Sequence, residues 1–143
     1  MKLSTRGKYG LYAMHYLATH EGDGPQSLQS IASTGVPKQY LEQLLGGLRR
    51  SGLVSSVRGV QGGYQIAKPP GEITILAVMD ALEGPLELSE CTTEAGLCSK
   101  SCQCPVRTVW QRLTDSINRE LAGVTLSDML EKPQECEAEP NER

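Results

Sequence analysis

Apolar positions along the chain follow two different periods. Leu11, Met14, Leu17 and Ala18 recur at helical spacing after Ser4, a residue type that caps helix N-termini, and the run stops at Gly22 and Gly24-Pro25. This pattern predicts a first helix over about residues 5 to 20. A second, short helix starts behind the cap Ser27 and carries Leu28, Ile31 and Ala32 to a turn at Gly35. Pro37 then stands where a helix accepts its first residue. Tyr40, Leu41, Leu44, Leu45 and Leu48 form the next apolar stripe, which closes on Arg49-Arg50 and Gly52. A short helix, a glycine turn and a longer helix make a helix-turn-helix unit. The period then changes. Leu53-Val54-Ser55-Ser56-Val57 and Gly63-Tyr64-Gln65-Ile66-Ala67 are rich in strand formers and flank Arg58-Gly59-Val60-Gln61-Gly62, a hairpin tip with one cation. The unit so predicted is a winged helix-turn-helix.

Beyond Pro69-Pro70-Gly71 the pattern is helical again. Thr74 can cap a helix that buries Ile75, Val78, Met79 and Leu82 before Gly84-Pro85, whereas residues 91 to 104 show no sustained apolar period. From Pro105, Val106, Val109, Trp110, Leu113, Ile117 and Leu121 line one face of a helix about five turns long. A helix of that length is hard to bury on a small domain. Its stripe is expected to pack on a copy of itself in a homodimer, which would set two reading helices against adjacent half-sites; folding back on its own domain is the alternative. Thr125-Leu126-Ser127-Asp128 has the form of a capping box opening a last short helix, and Pro133 to Arg143, with four Glu among eleven residues, reads as a disordered acidic tail.

Charge sharpens this picture because it is unevenly spread. The 143 residues carry a net charge of -3, but residues 1 to 68 hold eight Lys/Arg against three acids, a balance of +5, and the remainder balances to -8. A basic half within an acidic protein is the footprint of polyanion binding, since each phosphate neutralised by Lys or Arg releases condensed counterions. There is no Phe, and all five Tyr lie in the basic half, so the core must be built of Leu, Val, Ile, Ala and Met, as in helix-on-helix packing. With 38% hydrophobic residues the chain makes one domain-sized core or a small domain with an appendage, which excludes a large multidomain enzyme. No apolar run reaches the roughly 18 residues of a membrane span, and Met1 to Arg6 lack the apolar stretch of a signal peptide, so a cytoplasmic protein without membrane partners is expected.

With the third helix in a major groove, its outward positions Lys38, Gln39, Glu42 and Gln43 become the candidate readers, and Tyr40, beside them at the edge of the apolar stripe, joins the candidate DNA-binding residues. Gln pairs bidentately with adenine, Glu accepts from the cytosine amino group, and Lys serves guanine or phosphate. Arg49 and Arg50 are explained either by DNA contact or by the helix dipole, which favours cations at a C-terminus by about 0.3–1 kcal/mol. Arg58, with Gly59 beside it at the wing tip, can enter a narrow minor groove. Lys2, Arg6 and Lys8 are candidate phosphate contacts.

Four of the five cysteines, Cys91, Cys98, Cys102 and Cys104, fall within fourteen residues; Cys136 lies in the tail. Such clustering in a cytoplasmic chain points to metal or redox chemistry. Zinc favours C-x2-C pairs, which are absent, whereas an iron-sulfur cluster takes thiolates at irregular spacing, and Cys104-Pro105 has the cysteine-proline order that ends a ferredoxin run. A thiol-disulfide switch is the competing reading. The resulting organisation is mainly α: a winged helix-turn-helix DNA-binding domain over 1–70, a cluster-binding loop and dimerisation helix over 71–132, and a disordered acidic tail over 133–143.

Several stretches together resemble the Rrf2 family of bacterial transcription regulators, and within it the members that carry an iron-sulfur cluster. They are Met1-Lys2-Leu3-Ser4-Thr5-Arg6-Gly7-Lys8-Tyr9, Tyr40-Leu41-Glu42-Gln43-Leu44, Leu48-Arg49-Arg50-Ser51-Gly52-Leu53-Val54, Ser56-Val57-Arg58-Gly59 with Gly62-Gly63-Tyr64, and the cysteine loop leading to Trp110. The resemblance covers about residues 1 to 130. It implies a homodimeric repressor or activator whose long helix forms the dimer interface. It also implies a cluster, 2Fe-2S ahead of 4Fe-4S, that reports iron, oxygen, nitric oxide or redox state. By the family pattern the cluster cysteines match Cys91, Cys98 and Cys104, the base reader matches Glu42, and the minor-groove arginine matches Arg58. One position departs from it: a His expected three residues after the third cysteine is Arg107, which has no lone pair to offer. The place from which other members recruit an acid on the first helix is Lys8. The fourth ligand is thus open among Cys102, His15, Glu90, Glu94 and an exogenous group. No Ser-His-Asp arrangement, phosphate loop or carboxylate pair marks an enzyme; an iron-sulfur electron carrier or protein-interaction module is the remaining alternative from a different class.

Overall fold

The computed structural model describes residues 4–88 and 104–131. Among these residues six helices and one hairpin follow in order: α1 Thr5–Thr19, α2 Leu28–Ala32, α3 Lys38–Arg50, β1 Val54–Val57, β2 Gly63–Ile66, α4 Ile75–Glu83, α5 Pro105–Gly123 and α6 Leu126–Leu130, with a 3-10 turn at Pro70–Glu72 ahead of α4. Side-chain caps set most of these starts. Ser4 accepts the Gly7 N–H, Ser27 that of Ser30, and Thr74 that of Ala77, while Thr125 and Asp128 close a reciprocal capping box. Pro37 proves to be the cap residue itself rather than the first helical one. Its extended backbone (ψ 132°) leaves the carbonyl to accept the Leu41 N–H at 2.9 Å.

Among the described residues one apolar core joins α1, α2, α3, α4 and α6, with Leu121 of α5 packed against it. Met14, Leu17, Ile31, Leu41, Leu44, Leu45 and Leu48 are buried together with Ile73, Val78, Leu82 and Leu126. Each such side chain stabilises the fold by about 1.5–3 kcal/mol when fully buried. At the centre α1 packs on α3, α4 and α6. Gly10 permits that approach: a Cβ there would stand 1.9 Å from Cδ1 of the buried Leu82.

The two strands pair antiparallel, Val54 opposite Ile66 and Val57 opposite Gly63. The hairpin is pinned from its other side by a bridge between Gln26 and Tyr64, whose backbones exchange two hydrogen bonds of 2.8 Å. That bridge joins the wing to the segment entering α2.

Helix α5 does not bury its stripe as one. Ile117 and Leu121 are half-buried near α4, but Val106, Val109, Trp110 and Leu113 stay 36–54% exposed, so the expected face divides between its own domain and open surface. At its far end the chain is clamped back. Ile75 N–H bonds to the Val124 carbonyl and Leu126 N–H to the Ile73 carbonyl, both at 2.9 Å.

Candidate nucleic-acid interface

The spacing of Leu41, Leu44, Leu45 and Leu48 turns one side of α3 into the core, and Lys38, Gln39, Glu42 and Gln43 consequently stand exposed on the other. The start of this helix is unusual electrostatically. It has no side-chain cap, no acid in its first turn, and a cation, Lys38, as its first residue. A cation there opposes the helix dipole, by about 0.3–1 kcal/mol, and uncapped N–H groups at a helix start favour an anion. Both features suit an end that meets phosphate. Tyr40 borders this face. It is half-buried, with its ring edge-on to Tyr9 of α1 at 5.7 Å between centroids, and so braces α3 against α1.

The wing stands beyond the C-terminal end of α3. Arg58, Gly59 and Val60 are all exposed at its tip, where Gly62 N–H bonds to the Gly59 carbonyl at 3.0 Å to close the turn. Arg49 leaves the end of α3 to donate to the Ser56 hydroxyl at 3.2 Å, tying the angle of the hairpin to the helix. Arg50 remains exposed on the same last turn. On α1, Lys8 is exposed, whereas Arg6, though also exposed, donates to the Leu82 carbonyl of α4 at 3.3 Å. The α1 N-terminus is also occupied: Gly7 N–H meets both the Ser4 hydroxyl and the Glu83 carboxylate, at 3.4 and 3.3 Å. Lys2 lies outside the described residues.

The structure therefore gathers Lys38, Gln39, Glu42 and Gln43 on one exposed helix face, with Arg58 on the exposed hairpin that follows it. Three features escaped the sequence. These are the Gln26–Tyr64 bridge, the Arg49–Ser56 tie and the Arg6–Leu82 contact, each joining elements that no local pattern relates.

Among the cysteines only Cys104 falls within the described residues; Cys91, Cys98, Cys102 and Cys136 lie outside them. Cys104 is the cap residue of α5, half-buried and not in a disulfide. Arg107 follows one turn later, its backbone N–H bonded to the Cys104 carbonyl at 3.2 Å. Among the described residues no three His, Cys, Asp or Glu side chains converge as a metal site. A groove of about 320 Å³ runs between α4 and α5 over Leu76, Met79, Ile117 and Leu121, with Asp80 on its wall. Burial pushes the Asp80 carboxyl above the usual carboxylate range.

Comparison with known proteins places this geometry. A family model described as Rrf2, iron-dependent transcriptional regulator, matches residues 3–132. The chain belongs to the Rrf2 family. This Rrf2 protein is 40% identical over 130 residues to the HTH-type transcriptional regulator CymR of Bacillus subtilis, covering 90% of this chain and 89% of that one. Its fold superposes on T. potens IscR with a TM-score of 0.75 at 40% identity, over 94% of this chain and 93% of that one. It also matches Staphylococcus aureus CymR in an oxidised form, with a TM-score of 0.73 at 39% identity, over 94% and 99%. This Rrf2 protein is accordingly a DNA-binding transcriptional regulator, mainly helical with a two-stranded wing. No helix among the described residues is long and apolar enough to cross a membrane.

Proposed function

We propose that this chain works as a homodimer in the bacterial cytoplasm, regulates transcription rather than catalysing a reaction, and senses iron, redox or nitric oxide status through a cysteine-bound iron-sulfur cluster. On the DNA side, α3 enters the major groove with Gln39, Glu42 and Gln43 at base edges and Lys38 at phosphate or guanine. Arg58 enters the neighbouring minor groove, and Arg49, Lys2 and Lys8 meet the backbone. The exposed apolar residues Val106, Val109, Trp110 and Leu113 form the contact with the second copy, because together they present a stripe that a lone chain leaves in water.

The observation that carries the sensing reading is the cysteine cluster running directly into α5. Cys91, Cys98 and Cys104, with Cys102 as the nearest candidate for the fourth position, supply thiolates, and Cys104 heads the helix whose other end is clamped to α4. The donor set fits an iron-sulfur group in chemistry, and Arg107 takes no part in it. When bound, such a group would supply a redox-responsive crosslink between residues 91–102 and α5; 2Fe-2S is favoured over 4Fe-4S. Protein purified without oxygen tests this: about two irons and two sulfides per chain with a red-brown absorption are expected. Colourless, iron-free protein that resists reconstitution refutes it.

Two observations favour a second reading. A relative 39% identical, S. aureus CymR, has been solved in an oxidised form, and the position after Cys104 where a His would complete a cluster is Arg107. Under that reading the same cysteines act as a thiol-disulfide switch without metal, and non-reducing mass mapping of iron-free protein after mild oxidation would show a disulfide among them.

A further inference from the structure

Arg6 and Arg50 stand on different helices, the start of α1 and the end of α3, yet both line one recess of about 310 Å³ bounded by Gln43, Gly47, Ala81 and Leu82. The recess is formed where α1, α3 and α4 meet. Arg6 is pre-positioned there: one guanidinium N–H is spent on the Leu82 carbonyl, and the other donors remain. The Arg50 guanidinium folds back along its own helix over Gly46 and Gly47, close enough that a Cβ on either would stand 3.6 or 3.8 Å from its nitrogens. Among the described residues Arg50 has no hydrogen-bond partner, and no carboxylate lines the recess. Two guanidinium groups directed into one polar recess repel one another unless an anion lies between them.

Gln43 decides which anion. It lines the recess and also stands on the exposed face of α3 one turn after Gln39, so the recess is continuous with the reading face. A duplex read by Gln39 and Gln43 therefore runs its backbone past Arg6 and Arg50. We propose that these two arginines form one seat for a single phosphodiester of the operator, clamped from α1 and α3 at once. The inference rests on α3 being the reading helix and goes beyond it, since it has one phosphate shared by arginines of two helices.

The test uses the full chain and a duplex that it selects from a randomised library, with single phosphates replaced in turn by neutral methylphosphonate. One replacement in each half-site is expected to weaken wild-type binding about tenfold and to have no effect on Arg6→Gln or Arg50→Gln. Each variant should itself bind about tenfold more weakly, and the double variant no worse than either. The slope of log affinity against log salt should fall by about one for the double variant, because one phosphate is lost and not two. Additive losses with a slope change of about two, or no replacement that couples to either arginine, would overturn the shared seat. Broadening of inorganic phosphate in ³¹P spectra that disappears in Arg50→Gln, without any coupled methylphosphonate position, would assign the seat to free phosphate and overturn its place on DNA. Wild-type protein that selects no duplex would instead count against α3 as the reader, a distinct failure.

Discussion

Gly63→Ala probes how the wing is held. A Cβ at this position would stand 2.2 Å from the Gln26 carbonyl oxygen and 2.5 Å from its carbon. Both obstacles are backbone, so no rotamer change relieves them. The segment around Gln26 must retreat, and with it go the two 2.8 Å hydrogen bonds between Gln26 and Tyr64. Two backbone bonds contribute about 1 kcal/mol each, and forced backbone displacement adds about 1–2 kcal/mol, giving a loss of about 3–4 kcal/mol. Urea denaturation of the full chain measures it. Gly123→Ala is the matched control, because a Cβ there meets nothing within 4 Å and the position is helical. It should be neutral or stabilise by about 0.5–1 kcal/mol. If Gly63→Ala stays within about 0.5 kcal/mol of wild type, the bridge does not anchor the wing and the reasoning is refuted. If it holds, operator affinity should fall as well, since Arg58 loses its fixed bearing relative to α3.

Four further outcomes follow from the geometry. Arg58→Ala should weaken operator binding by about 1–3 kcal/mol in fluorescence anisotropy, and an unchanged affinity would remove the wing from DNA contact. Glu42→Ala should relax selectivity at one cytosine position per half-site by about 1–3 kcal/mol, read from a panel of single-base operator variants. Leu126→Ala, at a fully buried position, should cost about 2–5 kcal/mol in chemical denaturation, because α6 is held to the core through that side chain. Asp80 gives a pH signature: burial holds its carboxyl above the usual carboxylate range, so it favours the folded state only below that range and opposes it as pH rises through the raised value. Asp80→Asn should therefore raise Tm near pH 7, and the gain should vanish by about pH 3, where both side chains are neutral.

Much of this fold is legible locally. The caps Ser4, Ser27, Thr74 and Thr125, the leucine stripe of α3 and the hairpin strands all act through neighbours within a turn or a strand, so their positions could be read residue by residue. The exposed candidate positions follow from the same periodicity, since burying Leu41, Leu44, Leu45 and Leu48 leaves Lys38, Gln39, Glu42 and Gln43 outside. Contacts between distant segments are different. Arg6 reaching Leu82, Gln26 pairing with Tyr64 and Gly10 admitting Leu82 depend on how helices cross, which no short window encodes. Tyr40 shows the boundary: its place at the edge of the stripe announced partial burial, but not that its ring would stand edge-on to Tyr9 of α1. The division of the α5 stripe has the same origin, because periodicity identifies an apolar face without saying how far along it a neighbour extends.

The clamp between Ile73–Ile75 and Val124–Leu126 gives α5 the mechanics of a lever with one fixed end. Nineteen residues at 1.5 Å each place Cys104 about 28 Å from that pivot. A tilt of about 5° carries the cysteine end through roughly 2.4 Å while the pivot hardly stirs. A small chemical event at Cys104 is thus geared down before it reaches α4. Strain at the Cys104 end would be felt as rotation of the whole helix, and in the proposed homodimer two copies joined along their levers would register it as a change in span, with the shape of each α3 preserved.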